Sequence, residues 1–541
     1  MRLFFLMYLY SETENRLIFI IKGMNRMRHF LISLVFGLLC CAASPLHGQS
    51  NDTIPLDTIN LEKVLDTVTY ELSLRNVIDL AINQSSATKY AQNTDVNAYW
   101  RYKNFLTRFR PQLVLSGDLP KFENTNNPIT QPDGSIKFQR IQRLSTSADL
   151  SLRQNIARTN TSIYAATSAY GINDIRTGDQ EFSGSPFYIG FTQPIFQYNW
   201  AKWYKKTAPL DYERSKRNYL ETIEEIAHRS TSLFFSYLRI QTNYNLAKSN
   251  LENSQANLEI AEVRRKLGTI SENDYSRIRL SVLNAQKSVR NADMDLRNAD
   301  FNLKSYINLD QNIKVELLIP LDMTLFYIDP EKALQEANEN KDDVLNMQRR
   351  LLSAERDLEK AKKDNSLSAE LQGSYGLSNS SEVLGGIYDN PEQQQFIELE
   401  LSLPILDWGR SASQVKLAES QRELVIYDVE KDRKDFERRV VVQVERFNLL
   451  KEQLKTAEEA DKVAENGYRI AQKKFQNGEI SITELKISLN ERESAKRDYI
   501  RSIEDYWESY YYIRILTLYD FEAQEKIFYD NPMLEGEEEL D

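Results

Sequence analysis

Two short stretches of the sequence carry the same pattern, Gly-x-Ile-Ser-x-x-acid, at positions that differ by 210. The acid is Asp274 in the first stretch and Glu484 in the second. A carboxylate at such a position caps a helix N-terminus or attracts cations. Beyond residue 50 the sequence has no cysteine and a single histidine, His228. Most nucleophile and metal-ligand sets are therefore missing, and we predict no enzyme activity, no metal site and no cofactor.

The other matched residues predict a tight turn between two helices. Gly268 and Gly478 suit the left-handed residue that ends a helix. Ser271 and Ser481 suit the N-cap of the next helix, with the acid three residues later completing a capping box. The remaining matched residues are Ile270 and Ile480.

Long amphipathic helices must precede these turns. From Tyr219 to Ala261 the apolar positions advance by four and three in alternation, and eleven of the thirteen seam positions are apolar. The same steps from Val429 to Ala471 give ten apolar positions out of thirteen. A seam sustained for six heptads predicts coiled-coil helices, and the second copy predicts a repeated structural unit.

Period-two segments lie between the predicted helices. In "QFIELELSLPI", Ile397 and Leu399 fall on one face, and Glu398 and Glu400 fall on the other. Four such strands, each about the length of a membrane-spanning strand, are predicted at 111–119, 187–196, 368–377 and 396–405. A half-buried sheet in a soluble protein is the alternative. The segment 145–173 also alternates, and we interpret it as an elaboration of an extracellular loop, with its role left open.

The N-terminal region has the composition of an export signal. A basic segment at 24–29 and an apolar run at 30–43 precede small and polar residues, with cleavage expected after Gly48. Residues 1–23 are then an upstream extension, and a retained membrane anchor is the alternative. Lipid attachment to Cys40 or Cys41 stays open. The net charge of −11 argues against a nucleic-acid partner, and the terminal "EGEEELD" is typical of a solvated tail.

These observations divide the chain into two tandem repeats. The predicted sections are an extension and signal peptide at 1–48, a lead segment at 49–72, repeat 1 at 73–308, an equatorial connector at 309–329, repeat 2 at 330–518 and an acidic tail at 519–541. Repeat 1 is expected to hold a long helix at 209–267 and a second helix at 271–307. Repeat 2 is expected to hold the corresponding helices at 411–476 and 481–518.

The order of elements resembles that of the TolC-like outer-membrane efflux protein family over about residues 71–520. "LSLRNVIDLAINQ" and "DPEKALQEANEN" are similar to the starts of its opening helices. "TQPIFQYNW" and "LPILDWGR" are similar to its strand-to-helix motif and include Pro194 and Pro404. The turns at Gly268 and Gly478 resemble the tips of its periplasmic hairpins.

The resemblance implies a mainly α protein with membrane β-structure. Three copies would form a shared twelve-stranded β-barrel in the outer membrane of a Gram-negative bacterium, on an α-helical coiled-coil tunnel in the periplasm. Such a homotrimer would receive substrates from a periplasmic membrane-fusion adaptor and an inner-membrane pump, in multidrug efflux or type I secretion. Four strands cannot close a barrel alone, and lipid does not tolerate an open sheet edge, so the strands independently predict an oligomer. A periplasmic coiled-coil adaptor or structural spacer is the alternative function.

The resemblance also implies roles for particular residues. Asp274 and Glu484 would form an acidic ring at the pore constriction, where six carboxylates favour cations and raise each other's pKa. A second acid familiar from the family is replaced by Arg277 and Ile487. The other implied sites are the tips that dock the adaptor (Gly268, Ile270, Ser271, Gly478, Ile480 and Ser481), the barrel-to-helix transitions (Pro194 and Pro404) and the barrel lumen (Glu398 and Glu400).

Overall fold

A computed structural model describes residues 69–320 and 324–534 of the chain. The predicted signal peptide with Cys40 and Cys41, the lead segment up to residue 68 and the run at 535–541 lie outside the described residues. Within the described residues, no helix is both long enough and apolar enough to cross a membrane.

The elements of the first half begin with a short strand and two helices. They are β1 (Thr69–Leu72), α1 (Leu74–Gln84), α2 (Ser86–Thr107), β2 (Gln112–Ser116), β3 (Lys121–Thr130), β4 (Ile136–Ile156), β5 (Thr161–Asp174), β6 (Gln180–Ile195), α3 (Trp200–Lys266) and α4 (Glu272–Ile307). At 67 residues, α3 is about 100 Å long, given a rise of about 1.5 Å per residue.

The second half repeats this plan with fewer strands. Its elements are β7 (Lys314–Leu317), α5 (Pro330–Asn340), α6 (Asp342–Asp364), β8 (Ser368–Ser381), β9 (Glu392–Ser402), α7 (Arg410–Asn477), α8 (Ile482–Thr517), β10 (Tyr519–Asp520) and β11 (Glu525–Lys526). A short 3-10 helix, Leu384–Tyr388, lies between β8 and β9.

The offset between equivalent elements changes along the repeat. It is 256 from the start of α1 to the start of α5, and 256 again from the start of β2 to the start of β8. It is 210 from the start of α3 to the start of α7 and from the start of α4 to the start of α8. Because 256 exceeds 210 by 46, repeat 1 holds 46 more residues than repeat 2, all of them between β2 and α3.

The extra residues form strands within the main sheet. Its seven strands run in the order β2-β4-β5-β6-β8-β9, and β3 pairs with the other half of β4. Asp118 lies between β2 and β3, and its carbonyl oxygen accepts a hydrogen bond of 3.0 Å from the Ser147 N–H of β4. The pairing with β4 thus continues from β2 to β3. The two short strands therefore occupy one position, and the sheet has six strand positions.

Two of the sequence predictions need correction here. The segment 145–173 is part of the sheet rather than an elaboration of a loop, and the chain supplies six strand positions instead of four. The first long helix starts at Trp200, not near Pro209, because Asn199 caps it by accepting a hydrogen bond from the Lys202 N–H at 2.9 Å. Pro209 lies inside the helix.

Helices from both repeats share one hydrophobic core. The coiled-coil seam of α3 is buried or half-buried from Tyr219 to Ala261, whereas the seam of α7 has one exposed position, Arg433. Large side chains fill the centre of this core, including Phe234, Phe235, Phe436, Phe447, Tyr506 and Tyr510. The connector contributes β7, which pairs in parallel with β1 and so joins the connector to the strand that precedes repeat 1.

Candidate functional site

The main sheet has one apolar face that extends from edge to edge. Residues paired directly across antiparallel strands share a face, and successive residues alternate between faces. Register therefore assigns to this face the pairs Leu115–Leu150, Ala165–Ile189 and Leu371–Leu399, with Leu113, Leu152, Ile163, Phe187, Phe191, Tyr375, Ile397 and Leu401. Many of these side chains are exposed in the single chain; Leu115 is 73% and Ile397 is 80% accessible. A continuous apolar surface of this kind marks contact with lipid or protein.

The opposite face is polar. Glu398 is paired with Gln372, and Glu400 is paired with Glu370, so both predicted lumen residues lie away from the apolar face. Sequence reasoning missed the polar residues of β4 and β6 on this same face. The Tyr188 hydroxyl donates to Asp149 Oδ2 at 2.9 Å and thereby joins β6 to β4 across β5.

Glycines on the polar face allow close approach of an aromatic residue at two strand interfaces. A Cβ at Gly190 of β6 would come within 2.4 Å of the Tyr164 ring of β5. A Cβ at Gly376 of β8 would come within 2.4 Å of Cβ of Tyr188 on β6. Glycine is needed at both positions because a side chain would occupy the space of the neighbouring aromatic residue. At the β5–β6 interface the Tyr164 ring covers Gly190, whereas at the β6–β8 interface Gly376 meets the Cβ and backbone of Tyr188.

Each strand-to-helix transition contains residues in the left-handed region. Pro194 is the penultimate residue of β6, and Pro404 follows the end of β9 by two positions. Phe196 has φ 63° and Trp408 has φ 57°, so the chain changes direction just after each proline. Trp203 is buried against other elements, whereas Trp408 is 90% exposed.

Both hairpin tips have the predicted serine N-cap, but of the two only the tip at Ser481 has the predicted capping box. Gly268 and Gly478 adopt φ of 71° and 82°. The Ser481 hydroxyl accepts from the Glu484 N–H at 3.3 Å, and Glu484 Oε2 accepts from the Ser481 N–H at 2.7 Å, which completes the capping box. In the first tip, Ser271 accepts from the Asp274 N–H at 3.1 Å and its hydroxyl donates to the Asp274 carboxylate at 2.7 Å.

An arginine that the sequence reading missed joins the two tips. Arg264 Nη2, in the last turn of α3, donates to the carbonyl oxygen of Gln476 in the last turn of α7 at 2.9 Å. Its neighbour Arg265 donates to Glu272 across its own turn at 2.7 Å and lies 4.5 Å from the centre of the Tyr275 ring. The run of three basic residues that ends α3 was the available signal, since cations stabilise a helix C-terminus.

Buried charges connect the repeats near the core. Arg514 of α8 makes two hydrogen bonds of 2.8 Å to Glu224 of α3 and one of 2.6 Å to Asp520. Burial opposes the charge on Asp520, but hydrogen bonds from Tyr510 and nearby backbone N–H groups, with the charge of Arg514, hold its pKa below the usual value. Among residues 69–320 and 324–534, no group of three or more metal-binding side chains converges.

The described residues thus combine a sheet that has one apolar and one polar face with two long helical hairpins. The sequence of residues 333–505, most of repeat 2, matches the family model described as outer membrane efflux protein. This match confirms the predicted resemblance to TolC-like outer-membrane efflux proteins. No curated protein sequence matches the chain.

The similarity to solved structures covers both repeats, whereas the match to the family model covers most of repeat 2. The chain is similar to the CmeC outer membrane channel of Campylobacter jejuni, with TM-score 0.59, 14% identity, and 92% of this chain and 98% of that chain covered. It is similar to a membrane protein from Pseudomonas aeruginosa, with TM-score 0.58, 15% identity and coverage of 88% and 97%. It is also similar to the open state of the MtrE outer membrane channel of Neisseria gonorrhoeae, with TM-score 0.56, 14% identity and coverage of 85% and 90%.

These findings confirm the fold class, a mainly α chain of two tandem repeats in which long helical hairpins are joined to β-strands. The matched family is that of outer membrane efflux proteins, and CmeC and MtrE are outer membrane channels. They agree with the predicted outer-membrane location and with a transport role rather than an enzymatic one.

Proposed function

We propose that three copies of this chain form an export conduit through the outer membrane. A periplasmic adaptor and an inner-membrane pump would deliver the substrate to it, for efflux or for secretion. The apolar face of the sheet would contact lipid, and the polar face with Glu398, Glu400, Asp149 and Arg153 would line an aqueous lumen.

The observation that carries this proposal is the sheet of a single chain. It has a lipid-compatible face, a polar face and two unpaired edges, at β2 with β3 and at β9. Exposed backbone N–H and C=O groups are not tolerated in hydrocarbon, so each edge requires a partner strand. Further copies of the same chain supply such strands.

The export step requires no bond making or breaking by this chain. The polar face would solvate hydrophilic substrates and keep them from lipid, while the pump would supply the free energy. Movement at the tips would control entry. The bond from Arg264 to the Gln476 carbonyl oxygen would hold the two tips of one copy together and would have to break if they separate.

The tip carboxylates are proposed to face the entry constriction as a ring of six acids in a trimer. They also serve as caps, as their bonds to Ser271 and Ser481 show. The double substitution Asp274→Ala with Glu484→Ala should reduce block of single-channel current by divalent cations in planar bilayers. Unchanged conductance and unchanged block would leave capping as the only role of these residues.

The tip glycines and their neighbours are proposed to contact the adaptor. Gly478 has a positive φ and open space beside it apart from the Arg264 side chain at 3.4 Å. Gly478→Val should therefore weaken export more than trimer assembly, because it alters an exposed turn. Equal loss of export and of trimer would indicate a folding defect alone. Gly385→Val, at another open position, is the matched control.

Membrane fractionation tests the conduit against the alternative of a periplasmic adaptor or spacer. The conduit predicts a trimer in the outer-membrane fraction, extracted only by detergent and dissociated by boiling. Recovery of the chain in the soluble periplasm would refute the conduit. Genes beside this one that encode an adaptor with a proton-driven or an ATP-driven pump would identify the transport class.

A further inference from the structure

We propose that three copies close an eighteen-stranded barrel, because the hairpin of β4 and β5 is part of the barrel wall in every copy. The inference builds on the proposed trimeric conduit. It differs from the twelve-stranded barrel expected from the resemblance and assigns the conduit a wider exit at the outer membrane.

The first argument for this barrel is the position of the 46 additional residues in the sheet. In repeat 2, β8 and β9 pair directly with each other, for example Leu371 with Leu399. The offsets of 256 and 210 make Leu115 and Ile189 the equivalent pair in repeat 1. Instead, Leu115 pairs with Leu150, and Ile189 pairs with Ala165. The additional strands thus lie between two strand positions whose equivalents in repeat 2 are adjacent.

The inserted strands have the length and the faces of barrel strands. β4 pairs with β5 over Arg143–Ile156, fourteen residues, where a membrane-spanning strand needs about 9–11. Leu150 and Leu152 continue the apolar face, while Asp149, Ser151 and Arg153 continue the polar face. A slip by one residue would exchange these faces, so the register is specified by the sequence of the insertion itself.

Side-chain packing shows that β5 is matched to β6. Tyr164 of β5 lies over Gly190 of β6, and Tyr188 of β6 bonds to Asp149 of β4 across β5. Covering a glycine with an aromatic residue of the next strand is a recognised way to stabilise strand pairs. A loop elaboration outside the membrane would not need this complementarity at the level of the membrane-facing strands.

Closure follows from the direction of the strands. Each neighbouring pair in the order β2-β4-β5-β6-β8-β9 is antiparallel, so β2 and β9 run in opposite directions. The β9 edge of one copy can therefore pair in antiparallel fashion with the β2 edge of the next, and three copies close a ring of eighteen. Barrel diameter grows roughly linearly with strand number, so this barrel would be about 1.5 times as wide as one of twelve strands.

A wider barrel changes which part of the conduit selects substrates. Barrels of 16–18 strands enclose an aqueous channel, whereas small barrels are filled by side chains. The exit would then pass bulky polar solutes such as folded peptides, and the periplasmic tips would set the upper size of the substrate. Glu370, Glu398 and Glu400 would give this wide exit an acidic wall near the β8–β9 hairpin.

Three pairs of cysteines test the arrangement within one chain. Leu115→Cys with Leu150→Cys should form a disulfide if β4 lies beside β2. Leu115→Cys with Ile189→Cys should form one only if β2 pairs with β6 directly, as in a twelve-stranded barrel. Leu371→Cys with Leu399→Cys is the matched control and should form in either arrangement. The native cysteines, Cys40 and Cys41, are far away in sequence, so mass spectrometry of cross-linked peptides identifies each bond.

A strand count in the unmodified protein completes the test. An electron cryomicroscopy map of the detergent-extracted trimer should show eighteen strands in cross-section. Twelve strands, or a bond between positions 115 and 189, would overturn the inference while leaving the conduit intact. A soluble monomer with the 115–150 bond intact would instead refute the proposed conduit, so the two failures are distinguishable.

Discussion

Repeat 1 and repeat 2 have helices of nearly equal length, with 67 and 68 residues in α3 and α7 and 36 each in α4 and α8. Their strands differ, since repeat 1 has four strand positions and repeat 2 has two. The helices of the two repeats pack on one another, so a change of length in one helix would place its seam out of register with the other. A sheet accepts a whole hairpin more readily, because two added strands preserve both the antiparallel alternation and the identity of each face.

The repeats also differ in how they neutralise a buried cation at equivalent positions, Lys304 of α4 and Arg514 of α8. Lys304 forms an ion pair with Asp300 of its own helix, one turn earlier. Arg514 instead reaches Glu224 in the other repeat. One cation therefore stabilises a single helix end, whereas the other joins the two repeats.

The largest predicted effect is that of Arg514→Ala. It leaves Glu224, whose side chain is only 4% exposed, without its partner, and loss of one member of a buried ion pair costs about 3–5 kcal/mol. Lys304→Ala should cost less, about 1–3 kcal/mol, because the Asp300 side chain is 25% exposed and water can solvate it. Urea unfolding followed by circular dichroism at fixed protein concentration measures both.

Arg501→Ala is the control for this comparison. Arg501 pairs with Asp498 at 3.9 Å, and both side chains are more than 60% exposed. Exposed pairs contribute about 0–1 kcal/mol. Equal losses for Arg514→Ala and Lys304→Ala would mean that Glu224 is solvated in the assembled protein and that Arg514 does not join the repeats.

The next effect distinguishes two strand interfaces. Gly376→Ala should destabilise the protein by about 2–3 kcal/mol, because its Cβ meets the Tyr188 Cβ and a backbone oxygen, neither of which can move freely. Gly190→Ala should cost somewhat less, about 1–2 kcal/mol, because its two shortest contacts are with the far end of the Tyr164 side chain, while the Gly373 carbonyl oxygen lies 2.9 Å away. The melting temperature of the detergent-extracted protein reports both changes.

Gly385→Ala serves as the reference, since a Cβ there has open space. If Gly190→Ala behaved like Gly385→Ala, the Tyr164 ring would not lie over Gly190 in the assembled protein. The interface between β5 and β6 would then be looser than the interface between β6 and β8.

Local patterns predicted much of this fold. The heptad seams predicted long helices, and the Gly-x-Ile-Ser-x-x-acid pattern predicted both turns and both serine N-caps, because the signals of a helix lie within a few residues. The capping box predicted at Ser271 is absent, since the shorter Asp274 makes no bond to the Ser271 N–H. Alternation also identified Glu398 and Glu400 as residues on the face opposite Ile397 and Leu399.

Other features depend on contacts distant in sequence and could not be predicted in this way. The segment 145–173 alternates like a strand, but alternation does not say which strand lies beside it. The interpretation of this segment as a loop elaboration beside four predicted strands was therefore wrong. The partners of Arg264 and Arg514 lie 212 and 290 positions away in sequence, and only the three-dimensional fold brings them together.

The pH dependence of stability should also differ between the repeats. Burial raises the pKa of Glu504 in α8 to about 7, although Arg239 lies 3.1 Å away and opposes this rise. The position equivalent to Glu504 in repeat 1 is Met294. The folded state then binds up to about one more proton than the unfolded state between the ordinary carboxyl pKa of 4.5 and about 7. The stability from this group is complete below pH 4.5 and is lost as the pH rises through 7.

Glu504→Met and Glu504→Gln should both flatten this part of the profile of unfolding free energy against pH. The other charged groups that face Glu504 are Arg501, Asp505 and Glu508. Glu491→Gln on the exposed side of α8 is the control. A profile that keeps its slope in Glu504→Gln would assign the titration to one of those neighbours.

The smallest effect concerns the two tips, whose caps differ by one hydrogen bond. Ser481 both accepts from the Glu484 N–H and donates its own N–H to the Glu484 carboxylate, whereas the cap at Ser271 lacks the second of these bonds. Loss of an N-cap side chain costs about 0.5–2 kcal/mol. Alanine keeps the backbone N–H, so Ser481→Ala and Ser271→Ala should cost similar amounts within that range. Glu484→Ala should cost more than Asp274→Ala, because it also removes the bond from the Ser481 N–H; amide hydrogen exchange in α8 and α4 measures these changes.

Asp274→Glu sharpens this last comparison. The longer side chain should reach the Ser271 N–H and complete the capping box, as Glu484 does in the second tip. Slower exchange in the first turn of α4 would then show that the tips differ only in the length of one acid. If exchange does not change, the difference between the tips would instead come from the ion pair between Arg265 and Glu272, the first residue of α4.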